Sequence, residues 1–339
     1  VHTARDGQEA LLRLPELSPD VVTLDVNMPG MDGLACLRRI MEQFPRPVLM
    51  VSSLTQRGAW QTLEALRLGA VDYIPKPHST GALIDPQWAA ELVEKVRAAH
   101  RARIRARRPP GLGRESGRGA SEPPEGAGGV SAAAAVPGLV LVGASTGGPG
   151  ALEELLARLP ANFPLPVLVA QHMPPGFTQV FAQRLARHVP LAVQEVNGPT
   201  PLRAGLVVIA RGGADVVVSG QRGGPAVAQD VEIDPGLRWH PSVERMVRSA
   251  MEVFPPQHLL AVQLTGMGSD GADAMAELRR RGGWTVAESE ESAVIFGMPK
   301  ELIERGGASA VLPLERIPAA LVEQAARVAG AKAQPVGQD

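Results

Sequence analysis

Short apolar, β-branched runs alternate along the chain with stretches whose apolar positions recur every three to four residues. Such alternation predicts strands and amphipathic helices in turn. In the first third, residues 1–4 read as the end of a strand and 6–14 as a helix. Strands follow at 20–25, 47–53 and 71–74, with helices to about 42, at 59–68 and at 88–106. After a break, the run 139–142 leads through small residues into helical spacing at 151–159. A strand at 165–170 and a helix reaching 188 come next, then closely spaced strands at 192–196, 205–210, 215–219 and 226–229. Their spacing predicts a locally antiparallel or mixed part of the sheet. The rest reads as helix 242–254, strand 259–264, helix to 281, strand 285–288 and a helix starting at 297–300. Strands alternating with helices imply α/β architecture, with parallel sheets covered on both faces.

The break between the halves is compositional. Residues 101–108 are densely basic and continue the preceding helix until Pro109 and Pro110 end it. Residues 111–138 are rich in Gly, Ala, Ser, Pro and Glu, as in a tether. The expected division is therefore a first domain over 1–106, a linker over 107–137 and a second domain over 138–332. With 339 residues, two domains match the length.

Charge and composition exclude several classes. A formal net charge of −1 with 20% charged residues gives no general affinity for nucleic acid. No apolar run approaches about 18 residues, so no membrane insertion is expected. The single cysteine, Cys36, excludes an internal disulfide framework and points to a reducing cytoplasm. It lies in helical register with Leu34, Leu37 and Ile40, which predicts a half-buried packing role. No signal peptide is visible.

Chemistry collects where strands end. In the first domain these ends present Asp25, Ser52 and Lys76. An aspartate can be phosphorylated as a mixed anhydride, a hydroxyl can bond the new phosphoryl oxygens, and a lysine can offset their charge. In the second domain, three strand ends carry Ser145, His172 and, in the Gly-rich loop 265–271, Asp270. A serine hydroxyl is a weak nucleophile until a histidine takes its proton, and a carboxylate fixes that histidine's tautomer. Each residue also has a plainer reading, Ser145 and Asp270 as helix caps and His172 as a loop group. His188, His240 and His258 compete as the base, although none so clearly ends a buried strand. The Gly143–Gly147 stretch matches Gly-x-Ser-x-Gly, but the order Ser, His, Asp departs from that of α/β-hydrolases. No Gly-x-Gly-x-x-Gly dinucleotide fingerprint is present.

The motif Leu24-Asp25-Val26-Asn27-Met28-Pro29-Gly30-Met31-Asp32-Gly33, with Val51-Ser52-Ser53 and Lys76-Pro77, resembles the receiver domain of response regulators. The resemblance implies Asp25 as phosphoacceptor, Ser52 as switch hydroxyl, Lys76 as the invariant lysine and Tyr73 as the rotating aromatic. Receivers open with a strand ending in an acidic pair that holds Mg²⁺, followed by a helix, and neither element is present. The expectation is that roughly 30 residues precede Val1 in the full protein, since that strand lies mid-sheet in the flavodoxin-like order. As written, the chain carries only part of a Mg²⁺ site, through Asp25.

The second domain carries Gly143-Ala144-Ser145-Thr146-Gly147-Gly148, Gln171-His172-Met173-Pro174-Pro175-Gly176-Phe177-Thr178, Leu264-Thr265-Gly266-Met267-Gly268-Ser269-Asp270-Gly271 and Phe296-Gly297-Met298-Pro299. Behind a receiver, these resemble the CheB family of chemotaxis response regulators, protein-glutamate methylesterases and glutamine deamidases. The resemblance implies a flavodoxin-like receiver, lacking its first strand and helix, joined to a doubly wound, mostly parallel α/β methylesterase domain. It implies Ser145 as nucleophile, His172 as base, Asp270 as its orienter, the Met267 amide as oxyanion donor and Thr146 as a neighbouring polar contact. Catalysis then needs no cofactor, while Mg²⁺ serves receiver phosphorylation once the acidic pair is present. The implied partners are methyl-accepting chemotaxis receptors as substrate and the histidine kinase CheA as phosphodonor. In the family the unphosphorylated receiver covers the active site. Departures from its pattern fall at 210–215 and at Glu244, away from the triad. Two rival readings are a non-catalytic signalling adaptor and a general small-ester hydrolase.

Overall fold

The structure, a computed structural model, describes residues 1–53, 55–77, 85–102 and 135–330. The first domain runs α1 (Gly7–Leu17), β1 (Val22–Asp25), α2 (Gly33–Gln43), β2 (Val48–Ser52), α3 (Gln56–Arg67), β3 (Asp72–Pro75) and α4 (Pro86–Arg101). Its three strands pair in parallel in the order β1-β2-β3. Asp6, Asp32, Thr55 and Asp85 cap the four helices, each accepting from amides of the first turn. Residues 1–4 form no strand, because no neighbouring strand pairs with them. Cys36 is fully rather than half buried, and burial pushes its thiol up to about 11. The predicted helix 88–106 ends at Arg101. Most of the predicted linker, and the basic run beyond Ala102, lie outside the described residues.

The second domain continues with β4 (Leu139–Ala144), α5 (Gly148–Ala157), β5 (Val167–Gln171), α6 (Phe177–His188), β6 (Ala192–Glu195), β7 (Thr200–Pro201), β8 (Leu206–Ile209), β9 (Asp215–Gly220), β10 (Ala226–Val231) and α7 (Val243–Val253). It closes with β11 (Leu259–Gln263), α8 (Ala272–Arg280), β12 (Trp284–Glu288), α9 (Met298–Glu304), β13 (Ala310–Leu312) and α10 (Ile317–Gly330). Seven strands pair in the order β13-β12-β11-β4-β5-β8-β6, all in parallel. β4 and β5 are buried throughout, as strands covered on both faces must be. The antiparallel strands expected within this sheet are instead a separate one, β7-β10-β9, whereas β6 and β8 pair in parallel inside the main sheet.

The chain enters this sheet at its centre. On one side it passes from β5 to β6 at the edge and returns to lay β8 between them, and on the other it winds outward through β11, β12 and β13. That reversal opens a crevice at the carboxyl ends of β4, β5 and β11, where such folds bind ligands. Register aligns the rim: Ala144 lies opposite Gln171 and Gly143 opposite Gln263. Among the described residues, no helix is long and apolar enough to cross a membrane.

Asp215, at the start of β9, holds the loop that returns to this rim. Its buried carboxylate accepts from His240 Nδ1 (2.9 Å), Arg245 Nη1 (3.0 Å) and the amides of Asp234 (3.0 Å) and Ser242 (2.9 Å). Burial alone raises its pKa, and these donors together outweigh that and hold it below the ordinary carboxylate range. Asp215→Asn is expected to cost about 1–3 kcal/mol of stability near neutral pH, read from urea unfolding. A carboxyl depressed in the folded state contributes stability above its unfolded value, near 4, and loses it as pH falls through the folded value. The gap between wild type and Asp215→Asn should therefore close on acidification, and a constant gap down to about pH 3 contradicts this account.

Candidate active site

Ser145 follows β4, His172 follows β5 and Asp270 precedes α8, so one edge of one sheet carries all three. The backbone ties them together. Ser145 N donates to Thr265 O (3.0 Å) and His172 N to Ala144 O (3.0 Å). Two side chains from strand ends add to this frame. Gln171 Nε2 donates to Ser145 O (2.9 Å) and His172 O (3.1 Å), and Gln263 Nε2 donates to Asp270 O (3.2 Å).

Asp270 is anchored at the start of α7. Its carboxylate accepts from the Val243 amide (2.7 Å), the Glu244 amide (3.0 Å) and Ser242 Oγ (3.1 Å). These donors, at the positive end of the helix dipole, hold the carboxylate in place. The same carboxylate meets His172 Nε2 at 2.8 Å, with both side chains nearly buried. With Nε2–H donating to Asp270, His172 Nδ1 becomes the acceptor nitrogen. That atom is buried and has no hydrogen-bond partner. No hydrogen bond of the described residues joins Ser145 Oγ to His172, a contact often long until substrate binds.

α5, α6 and α8 each begin after a glycine in the left-handed region, Gly147, Gly176 and Gly271, and none has a side-chain cap. A side chain at Gly271 would also collide with Val243. The first amide of each helix is closed in a turn, Gly148 N on Ser145 O (2.8 Å), Phe177 N on Pro174 O (3.2 Å) and Ala272 N on Ser269 O (3.0 Å), and Ala274 N of α8 donates to Glu244 Oε2 (2.9 Å). The amides of Thr146 and Met267 have no intramolecular acceptor among the described residues.

Three contributors went unpredicted. Gln171 and Gln263 are buried polar residues ending apolar strands, a signal that was legible. Trp239, in the loop before α7, stacks on the His172 imidazole at 5.3 Å and 9° and has no such signature.

The first domain sits against this edge. Thr146, beside Ser145, donates to Asp72 Oδ2 (2.6 Å), which also meets Lys95 Nζ at 2.6 Å. Tyr73 stacks on Phe177 at 4.9 Å and 4°. Its hydroxyl is buried without a partner, and burial, with Asp72 and Glu91, pushes its pKa well up. Further out, Arg184 meets Glu64 at 3.3 Å and Arg187 lies over Trp60.

Of the first domain's own candidates, Asp25 and Lys76 meet, Oδ2 to Nζ, at 2.6 Å. Ser52 does not join them. Its buried hydroxyl accepts from Thr62 Oγ1 (2.7 Å) and donates to Gly58 O (3.3 Å). No cluster of three or more metal-ligating side chains occurs among the described residues. Asp25, already paired with a lysine, does not make a Mg²⁺ site unaided.

Residues 140–321 match the family model described as CheB methylesterase, and 1–86 match the response regulator receiver domain. The protein-glutamate methylesterase/protein-glutamine glutaminase 3 of Rhodospirillum rubrum is 52% identical, over 94% of this chain and 87% of the relative. The corresponding protein 2 of Rhodopseudomonas palustris is 50% identical, over 95% of this chain and 90% of the relative. The solved methylesterase catalytic domain of Thermotoga maritima CheB is 39% identical, covering 55% of this chain and 97% of that domain at a TM-score of 0.53. Strand edge, histidine–carboxylate pair and whole-length similarity agree: the chain belongs to the CheB methylesterase family, with a response regulator receiver domain ahead of the methylesterase domain.

Proposed function

We propose that the second domain hydrolyses γ-methyl-glutamyl esters on methyl-accepting chemotaxis receptors, and deamidates glutamine at the same positions, through Ser145, His172 and Asp270. The observation that carries this reading is the His172 Nε2–Asp270 Oδ2 bond of 2.8 Å on the strand edge that presents Ser145. Ser145 Oγ attacks the ester carbonyl while His172 Nδ1 takes its proton. Asp270 stabilises the imidazolium that forms. Negative charge on the tetrahedral oxygen faces the free amides, with Met267 as donor and Thr146 beside it. The imidazolium then protonates the departing methoxide, and methanol leaves. Water, deprotonated by the same histidine, hydrolyses the acyl-enzyme and releases glutamate and Ser145. A glutamine side chain follows the same route, with ammonia as leaving group.

The first domain serves as regulator in this proposal, with domains at 1–106 and 138–332 joined through 107–137. Asp25 is the phosphoacceptor and a histidine kinase of the CheA class the donor. Ser52, Lys76 and Tyr73 respond to the phosphoryl group, and the protein works in the cytoplasm beside the receptors' cytoplasmic helices. The resting receiver restricts access, because Asp72 and Tyr73 engage Thr146 and Phe177 next to the nucleophile. No step of ester hydrolysis is routed through a metal.

Ser145→Ala should abolish methanol release from methylated receptor, and His172→Gln should lower it by about 10²–10⁴. Undiminished release by Ser145→Ala overturns the serine mechanism. Glu64→Lys sets like charge against Arg184 where the two domains meet. It should raise receptor demethylation by the unphosphorylated chain roughly fivefold, as a bias of about 1 kcal/mol would. Unchanged turnover, with the domains separated by solution scattering, contradicts the restricting role.

A further inference from the structure

The column of stacked groups over the catalytic histidine extends outward beyond the triad. Trp239 covers the His172 imidazole, and the Arg238 guanidinium lies 4.7 Å from the centre of the Trp239 ring. Gly268, in the loop that carries Met267, packs under the same indole, where a Cβ would meet it at 3.2 Å. Arg238 is thus held beside the indole that covers the catalytic imidazole. Its charge is already engaged. Arg238 Nη2 lies 2.7 Å from each carboxylate oxygen of Glu94. Glu94 belongs to α4, the last helix described in the receiver, with Glu91 one turn before it.

We infer that Arg238 is a specificity-determining residue that binds a helix-borne carboxylate flanking the scissile ester, and that Glu94 occupies it in the resting chain as a stand-in for that carboxylate. This rests on the proposed substrate, glutamyl esters on receptor helices. The occupant seen is itself a glutamate on an α-helix, so the geometry accommodates that class of ligand. The guanidinium, braced flat on an indole, gives up little freedom when it binds. The Arg238–Glu94 pair is half exposed, and such pairs are weak, so one carboxylate readily replaces another. Receiver and substrate then compete for one cation, and displacing the receiver frees it.

The test measures methanol release from methylated receptor by the full chain, as KM and kcat separately, alongside wild-type hydrolysis of 4-nitrophenyl acetate. Arg238→Gln should raise KM about tenfold with kcat within about twofold, and Arg238→Lys should recover part of the loss. Glu94→Gln should lower KM, and Glu94→Gln combined with Arg238→Gln should match Arg238→Gln alone. The KM difference between wild type and Arg238→Gln should shrink as salt is raised, because the pair is exposed. A fall in kcat with unchanged KM in Arg238→Gln means that the residue acts only by bracing Trp239, and overturns the inference. So does an unchanged KM in Glu94→Gln. Both cases leave the methylesterase reading standing. Wild-type hydrolysis of 4-nitrophenyl acetate without methanol release from receptor removes the substrate reading and this inference together.

Discussion

The site depends on one buried carboxylate. Asp270 accepts two amides and a hydroxyl from the start of α7, and it meets His172 Nε2 with its remaining capacity. A charge in so dry a place is tolerated only when every lone pair is used. The helix therefore does two things at once: it supplies donors to the Asp270 oxygens, and it aims the carboxylate at one ring nitrogen. That choice leaves Nδ1 as the acceptor nitrogen, buried and without a hydrogen-bond partner. The arrangement of α7 follows in turn from Asp215, which gathers His240, Ser242 and Arg245 ahead of that helix and in its first turn. Two aspartates, one structural and one facing the histidine, thus share the loop and helix start between them.

The edge that makes the site reactive also makes it easy to cover. Helices α5, α6 and α8 start from glycines, which supply no side-chain cap, and close their first amides in turns, while the amides of Thr146 and Met267 have no acceptor among the described residues. Uncapped termini and a stacked histidine need a flat, accessible rim, and the receiver packs onto that rim through Asp72, Tyr73 and Glu64. Its contacts are mostly polar or half exposed, with Tyr73 on Phe177 as the apolar anchor. Polar contacts of this kind are individually weak and add specificity more than strength. An interface built this way holds at rest yet yields to a modest bias, as expected where one domain regulates another.

Much of this was legible in the pattern of the chain. Ser145, His172 and Asp270 were placed on one edge because each follows an apolar run, and parallel sheets align such ends. The strand partners of β6 and β8 were not legible, because a four-residue strand carries no mark of whether its neighbour runs parallel or lies in another sheet. The resting direction of the Ser52 hydroxyl, inward to Thr62, was not legible, since side-chain direction depends on packing from α3. β13 and α10 went unread, the first for its three residues and the second for its small, mostly apolar side chains.

Trp239 and Arg238 mark where reading along the chain gives out. They lie in the exposed loop between β10 and α7, and nothing in their neighbours signals a catalytic setting. Their positions have meaning only once β5 and α7 are packed, because the stack joins residues from separate parts of the chain with one from the receiver. A planar cation on an indole, on an imidazole, is rigid along the stacking direction and open on its outer face. The inner end of that column meets the proton-accepting histidine, and the outer end meets whichever carboxylate is at hand. Chemistry and recognition thereby meet at one indole, which stacks on the histidine and lies 4.7 Å from the cation that holds a receiver glutamate.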